Sequence, residues 1–249
     1  MSVDEAMSER DSRVLAKSFV ELATALEAMP AGAGVLGVVE RVVLATCHVV
    51  EGADCASVVL RADDDVFSTV AASDALAGSA DELQLTHDEG PSIVATHTTG
   101  LGVADSSDLA TDPNYPRFGP AAASLGVASV IATGMFPGGE TPRFGALNCW
   151  SRTPGGLDTA DRDHALVLAS YAATAIAGVR ARSAAELQMA QLREAVDSRD
   201  VIGQAKGILM ERRGYDSAAA FDVLRRTSQE LNIKLRDVAK TLVERRSEI

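Results

Sequence analysis

Three sets of side chains have types and spacings that bear on chemistry. Four histidines, His48, His87, His97 and His164, and three cysteines, Cys47, Cys55 and Cys149, supply the nucleophilic and metal-ligating groups. The histidines do not stand at ligand spacing with one another or with a cysteine, and no CxxC pair occurs. Neither a zinc site nor a disulfide framework is expected, and the metal and cofactor complement is expected to be none. Asp88 and Glu89 are neighbouring carboxylates of the kind used in general acid–base work, but they precede an apolar run opening at Pro91. In front of a helix, acidic side chains are selected anyway because they complement its dipole. The third set is basic. Arg199, Lys206 and Arg213 recur at steps of seven, and Arg236 and Lys240 stand four apart, so on helices each set shares a face. Such faces are either ordinary solvated surface or a contact with phosphates.

Charge separates these readings only when it is resolved along the chain. The 249 residues carry 23 Lys plus Arg against 35 Asp plus Glu, a net charge of -12 that taken alone points away from nucleic acid. Residues 1–182 hold 11 basic and 24 acidic side chains, net -13, whereas residues 183–249 hold 12 and 11, net +1. The last quarter is therefore a different electrostatic object. Hydrophobic residues make up 47% of the chain and mean hydropathy is +0.08, which suits a soluble protein of one or two domains. No uncharged apolar run reaches 18 residues, and Asp4, Glu5 and Glu9 stand where a signal peptide would be basic and then apolar. A cytoplasmic protein with no membrane partner is expected.

The elements that must position these residues follow from periodicity. Residues 1–13 are polar and expected to be flexible. Val14, Leu15, Phe19, Leu22 and Leu26 recur at steps of three and four, predicting a helix over 11–29, and a second, nearly all apolar around Leu36, Val39, Val43, Leu44 and Cys47, covers 34–50. Val-rich runs at 56–60 and 66–71 flank three aspartates and predict a hairpin. Weaker strand signals lie at 83–85 and 101–104. Short helices are predicted from Pro91 and over 118–125, and strands at 128–136 and 144–150 form a second hairpin around a Pro/Gly loop. From 158 to about 213 the pattern is helical without a break, and Ile176, Val179, Ser183, Leu187 and Ala190 approximate a coiled-coil seam that Glu194 interrupts. Gly214 stops this helix. Asp216 or Ser217 caps a helix reaching Leu231, and a last one covers 234–246.

An antiparallel sheet with packed helices is the α+β arrangement this order implies, and here the chain resembles a GAF domain, the small-molecule sensing module. The resemblance covers residues 14–179 and rests on Asp88, Glu89, Gly90, Pro91 and Ser92 before the mid-domain helix, and on Asp105 after a short strand. It rests also on Gly126 before a central strand and on Gly145, Ala146, Leu147 and Asn148 in the closing hairpin. It implies an unidentified small-molecule ligand or a dimerisation role, with ligand-binding residues unknown. Thiol-dependent GAF enzymes need converging cysteines, whereas Cys47 and Cys149 sit in apolar segments and Ser92 stands where relatives often have Cys. No enzyme and no catalytic residue is expected.

Residues 180–191 read as a helical linker, and 192–249 as an all-α three-helix unit. Within it, Val201, Ile202, Ala205, Ile208 and Leu209 span about 120° of one helix face. Ala220, Phe221, Leu224 and Leu231 make the apolar face of the next helix, with Phe221 buried; Leu235, Val238 and Leu242 point inward on the third. The run from Ser198 through Arg199, Gly203, Gln204, Ala205, Lys206, Gly207 and Met210 to Arg212 resembles the signature of the ANTAR domain, an RNA-binding transcription antitermination module. The match continues through Ala219, Phe221, Leu224, Arg225, Ser228, Asn232, Leu235, Val238 and Ala239.

That resemblance implies a homodimer of the actinobacterial type, in which a GAF sensor controls the binding of paired stem-loops in nascent mRNA and so regulates transcription. Expected RNA contacts are Arg199, Lys206, Arg213, Arg236 and Lys240, with Gln204 and Ser228 as polar readers. With four to five phosphate contacts the log-log salt slope would be roughly -3. Stacking on aromatics is not the expected mode, because the unit offers only Tyr215 and Phe221. The alternative is a protein-interaction adaptor or ligand sensor whose bundle docks another regulator without nucleic acid; a DNA-binding bundle is a third reading.

Overall fold

The computed structural model describes Ala16, Val20, Thr24 and residues 34–62, 65–135 and 144–245. It divides into two compact units, Met1–Ala181 and Arg182–Ile249. The helix expected over 11–29 lies outside the described residues except for Ala16, Val20 and Thr24, which are helical. The Pro/Gly loop of the second hairpin lies outside them too.

The first unit is built on five antiparallel strands: β1 (Cys55–Arg61), β2 (Phe67–Ala72), β3 (Val103–Ser106), β4 (Ser129–Met135) and β5 (Gly145–Ser151), in the spatial order β2-β1-β5-β4-β3. Both expected hairpins form, with Ser57 opposite Ala72 and Val130 opposite Trp150. Every residue of β4 and β5 is buried, because helices cover both faces of the sheet. On one face α1 (Gly34–Val49) and the first part of α5 (Thr159–Arg213) meet Ala56, Val58, Ile131, Leu147 and Cys149. On the other, α2 (Ala75–His87), α3 (Pro91–His97) and α4 (Phe118–Leu125) pack over Cys55, Val130, Ala132 and Trp150. Alternation along each strand distributes these side chains between two cores.

Several local expectations shift. The 83–85 run is no strand; it lies inside α2, which Asp74 opens by accepting a hydrogen bond from Ala77 N–H at 2.9 Å. Five alanine or leucine residues from 75 to 83 and an N-cap outweigh a three-residue β signal. Strand β3 begins at Val103 rather than 101, after Gly102 at φ 63°. On α1, Val38, Val39, Val42 and Val43 are buried while Leu36 and Leu44 are exposed, so the buried stripe lies one step around the helix from the predicted one.

The second unit comprises the end of α5, then α6 (Ser217–Leu231) and α7 (Leu235–Glu244). Gly214 at φ 65° terminates α5, and the Asp216 carboxylate caps α6 by accepting from Ala218 and Ala219 N–H at 3.0 and 2.7 Å. Ala205, Leu224 and Ala239 form the buried centre, with Val201, Ile202, Leu209, Leu235, Val238 and Leu242 packed around it. Between the two cores, residues 181–197 of α5 are exposed throughout. The expected seam is therefore divided: Ile176 is buried in the first unit, Val179 packs against that core, and Leu187 is exposed. One window of α5 is long and apolar enough to cross a membrane by length and composition, and 33% of it is buried. In the described structure Ala165, Leu168, Ala169, Ala172, Ala173 and Ile176 spend that apolarity on the sheet.

At Gly145 a Cβ would stand 2.3 Å from the Val59 carbonyl oxygen on the neighbouring strand. Gly145→Ala is expected to destabilise the sheet by about 1–3 kcal/mol, the usual cost of overpacking, read as a lower denaturation midpoint of the full chain. An unchanged midpoint would contradict the tight β1–β5 pairing.

Candidate functional site

The second unit holds all seven residues expected to meet RNA, and the structure divides them by what they already touch. Arg199, Lys206 and Arg213 lie on α5 with no ion-pair partner among the described residues; Arg199 and Arg213 are exposed and Lys206 is half-buried. With Met210 they fall within about 60° of the helix circumference. Gln204 is exposed on the same helix but about 120–180° around from this line, on the opposite side. Arg236 is engaged: its guanidinium pairs with Glu194 of α5 and lies 3.5 Å from Asp237. Lys240 is 3.8 Å from Glu244, one turn on, with both side chains largely exposed. Ser228 donates to the Ile233 carbonyl at 2.6 Å and closes the turn in which Asn232 takes the left-handed conformation at φ 52°. Its hydroxyl thus has a structural partner.

Phe221 departs from expectation: it is 38% exposed, and Tyr215 is 40% exposed. Leu231, also expected on the apolar face, is exposed as well. Ala220, one position before Phe221, and Leu224, three after it, are buried, so the ring lies at the border of the packed face.

In the first unit the motif residues converge on a polar cluster in the interior. Asp81 of α2 is fully buried, and its carboxylate accepts from Ser57 Oγ and Thr69 Oγ1 at 3.0 Å each and from Asn148 Nδ2 at 2.9 Å. Gln84, one turn further, donates to Ser92 Oγ at 2.9 Å and accepts from Ser92 N–H at 2.8 Å. Ser92 Oγ in turn donates to Asn148 Oδ1 at 2.8 Å, and the Trp150 indole N–H donates to Ser57 Oγ at 3.0 Å. Strands β1, β2 and β5 and helices α2 and α3 are tied together this way. Gly90, at φ 155°, is required because a Cβ there would overlap the Gln84 side chain.

Asp81 and Gln84 were not singled out from sequence; their only signal is an i, i+3 spacing of polar residues on the face that carries Ala77 and Ala80. All partners of Asp81 are neutral. Burial pushes its carboxyl up, four hydrogen bonds pull it back, and the balance stands at about 7.

The carboxylate pair has separate structural tasks. Asp88 ends α2 in the left-handed conformation at φ 48°. Glu89 reaches a different helix from the one it precedes, accepting from Arg117 N–H at 2.8 Å, Phe118 N–H at 2.9 Å and Arg117 Nε at 3.0 Å. Desolvation raises its carboxyl, but these bonds outweigh it and hold the group below the ordinary carboxylate range. Asp105 lies 3.7 Å from Arg162. Burial pushes all three thiols up, Cys55 to about 12, which suppresses the thiolate that nucleophilic chemistry needs. Among the described residues no group of three His, Cys, Asp or Glu side chains is placed to hold a metal.

Because Asp81 holds its proton more tightly in the folded chain than at its ordinary value of 3.8, folding takes up a proton between about 4 and 7. Stability is expected to be greatest at the acid end of that window and to fall as pH rises through 7. Asp81→Asn should remove this dependence in denaturant titrations at pH 5 and 8; an identical pH dependence in the variant would show that Asp81 is not its source.

With these positions established, likenesses to known proteins can be placed on them. Residues 190–243 match the family model of the ANTAR domain. No curated protein matches the chain. Among solved structures, the chromophore-binding domain of an unusual bacteriophytochrome from R. palustris is 14% identical, with 70% of this chain and 63% of that one covered and a TM-score of 0.50. The GAF domain of a phosphoenolpyruvate-protein phosphotransferase from Coxiella burnetii is 16% identical, over 69% of this chain and 98% of that one, at a TM-score of 0.47. A GAF domain from Synechocystis, in its photoproduct state, is 12% identical over 62% and 99%, also at 0.47. At such identities no ligand carries over, and of these likenesses only that to the bacteriophytochrome domain, at a TM-score of 0.50, bears on fold. The chain accordingly carries an ANTAR domain at residues 190–243, behind an N-terminal region whose five-stranded antiparallel sheet and flanking helices have GAF-domain structures among their neighbours.

Proposed function

We propose that this protein is a cytoplasmic, signal-responsive RNA-binding antiterminator that acts as a homodimer on paired stem-loops of nascent mRNA. The observation that carries the reading is the line of cations, Arg199, Lys206 and Arg213, that have no ion-pair partner among the described residues and lie on the first helix of the segment that matches the ANTAR model. Domain limits follow the same reading: residues 1–13, which lie outside the described residues, precede a sensor over 14–179, a helical linker over 180–191 and the RNA-binding unit from 192 to 249. The sensor is non-catalytic and responds to an unidentified small molecule. Exposed Met189, Leu192 and Val196 share one stripe on α5 and support pairing of two copies.

Ion pairing ranks the seven contacts. Arg236 and Lys240 already face carboxylates, so each phosphate they met would displace one. Three cations without an ion-pair partner among the described residues give a log-log salt slope of about -2 with the single-strand coefficient, shallower than a count of five would give. Two modest contacts on one transcript then gain through effective concentration.

The test uses RNA recovered by crosslinking to the full-length protein in its own cell, followed by binding titrations over a salt series. Lys206→Glu combined with Arg213→Glu should abolish binding while circular dichroism is unchanged. RNA affinity equal to that of the unsubstituted protein would refute the proposal, and recovery of protein partners without RNA would favour the adaptor reading. Preferential competition by duplex DNA would favour the DNA-binding one.

A further inference from the structure

We propose that Tyr215 and Phe221 form a stacking surface for unpaired bases of the bound RNA, at the end of the bundle where α5 gives way to α6. This rests on the RNA-binding reading and adds to it a mode of contact that the cation line does not supply.

Three observations carry it. First, these are the only two aromatic residues after 182, and neither is used in the bundle centre, which Ala205, Leu224, Ala239 and their aliphatic neighbours complete. Keeping a Phe ring partly in water forgoes burial that would otherwise favour the fold. Second, the two rings flank one helix end. Tyr215 immediately precedes the Asp216 cap, and Phe221 follows that cap by five positions, about 8 Å along the axis at the helical rise. Third, this end is continuous with the cation line. Arg213 is two residues before Tyr215, and Met210, 41% exposed, lies in line with Arg213 on α5.

Charge selects the occupant. The acidic neighbours are Glu211, Asp216 and Asp222; Asp216 is occupied by two α6 N–H groups, and Asp222 pairs with Arg225 at 2.9 Å. Arg213 faces no carboxylate among the described residues. An apolar helix from a protein partner would leave this exposed guanidinium in water and make no use of it. A nucleotide satisfies both halves, its phosphate meeting Arg213 and its base lying on a ring. Stacking of this kind accepts any base, because every base has a π-face, and it reads loops rather than duplex stems, whose bases are already stacked.

The experiment uses full-length protein and a crosslink-recovered hairpin RNA carrying 2-aminopurine at each loop position in turn. Tyr215→Leu and Phe221→Leu should each weaken binding about tenfold, the equivalent of about 1.4 kcal/mol, with an unchanged salt slope and with loss of the 2-aminopurine quenching at one position. Tyr215→Phe and Phe221→Tyr, which keep a π-face, should bind as the parent does. An abasic site at the quenched position should weaken the parent and leave the Leu variant no weaker. Leu variants that keep affinity and quenching overturn the stacking surface while leaving RNA binding intact. Variants that keep RNA affinity but shed a co-purifying protein also overturn it, assigning the patch to a protein. If instead the parent protein binds no recovered RNA, the reading of function fails, and the two failures are told apart.

Discussion

Both units borrow their packing from one helix. The 55 residues of α5 furnish the face that covers α1 and the sheet at positions 165–176 and, further along, the first helix of the three-helix unit at 201–209. Neither core closes without it: the first would expose Leu147, Cys149 and Ile131, and the second would be reduced to two short helices, too little to bury an apolar centre. The intervening stretch is exposed on every side, so it is held helical by good helix formers such as Ala184, Ala185, Glu186, Leu187 and Gln188 and by its anchored ends. Proline, absent after Pro154, would break that continuity.

Much of this was legible in the residues because the signals were long or doubled. The two hairpins show in Val-rich runs bounded by aspartates and by Pro and Gly, and α4 has the predicted limits because Gly126 terminates it in the left-handed region. What failed did so for definable reasons. Leu83 and Leu85 carry a strand propensity only three residues long, which an Asp74 cap and preceding alanines override. The Asp81 cluster was invisible because its members come from five elements, and no local pattern announces that Ser57, Thr69, Gln84 and Asn148 will face one carboxyl, with Ser92 linking two of them. Glu89 was read against the helix that follows it in sequence, whereas the chain returns 28 residues later to place Arg117 and Phe118 within its reach.

On the second unit, spacing identified the cations but not their engagements. Steps of seven placed Arg199, Lys206 and Arg213 on one face, and the structure keeps them there. Nothing in the sequence separates Arg236 from them, because its partner Glu194 lies 42 positions away on another helix. Phe221 was assigned inward with Ala220, Leu224 and Leu231 on one helix face, yet 100° per residue leaves it at the margin of the buried arc, and a small shift in that arc decides whether a ring is wet. Ion pairs consume cations and anions alike and leave the formal charge of +1 over residues 183–249 unchanged, so what distinguishes the α5 line is that its members have no ion-pair partner among the described residues.

Cys55 and Cys149 are buried on opposite faces of the sheet, and burial favours the protonated form of all three cysteines. Oxidation to sulfenic acid and exchange with disulfides both begin from an accessible thiolate. Folding thus opposes both reactions at Cys55 and Cys149, whose thiols are buried within the sheet.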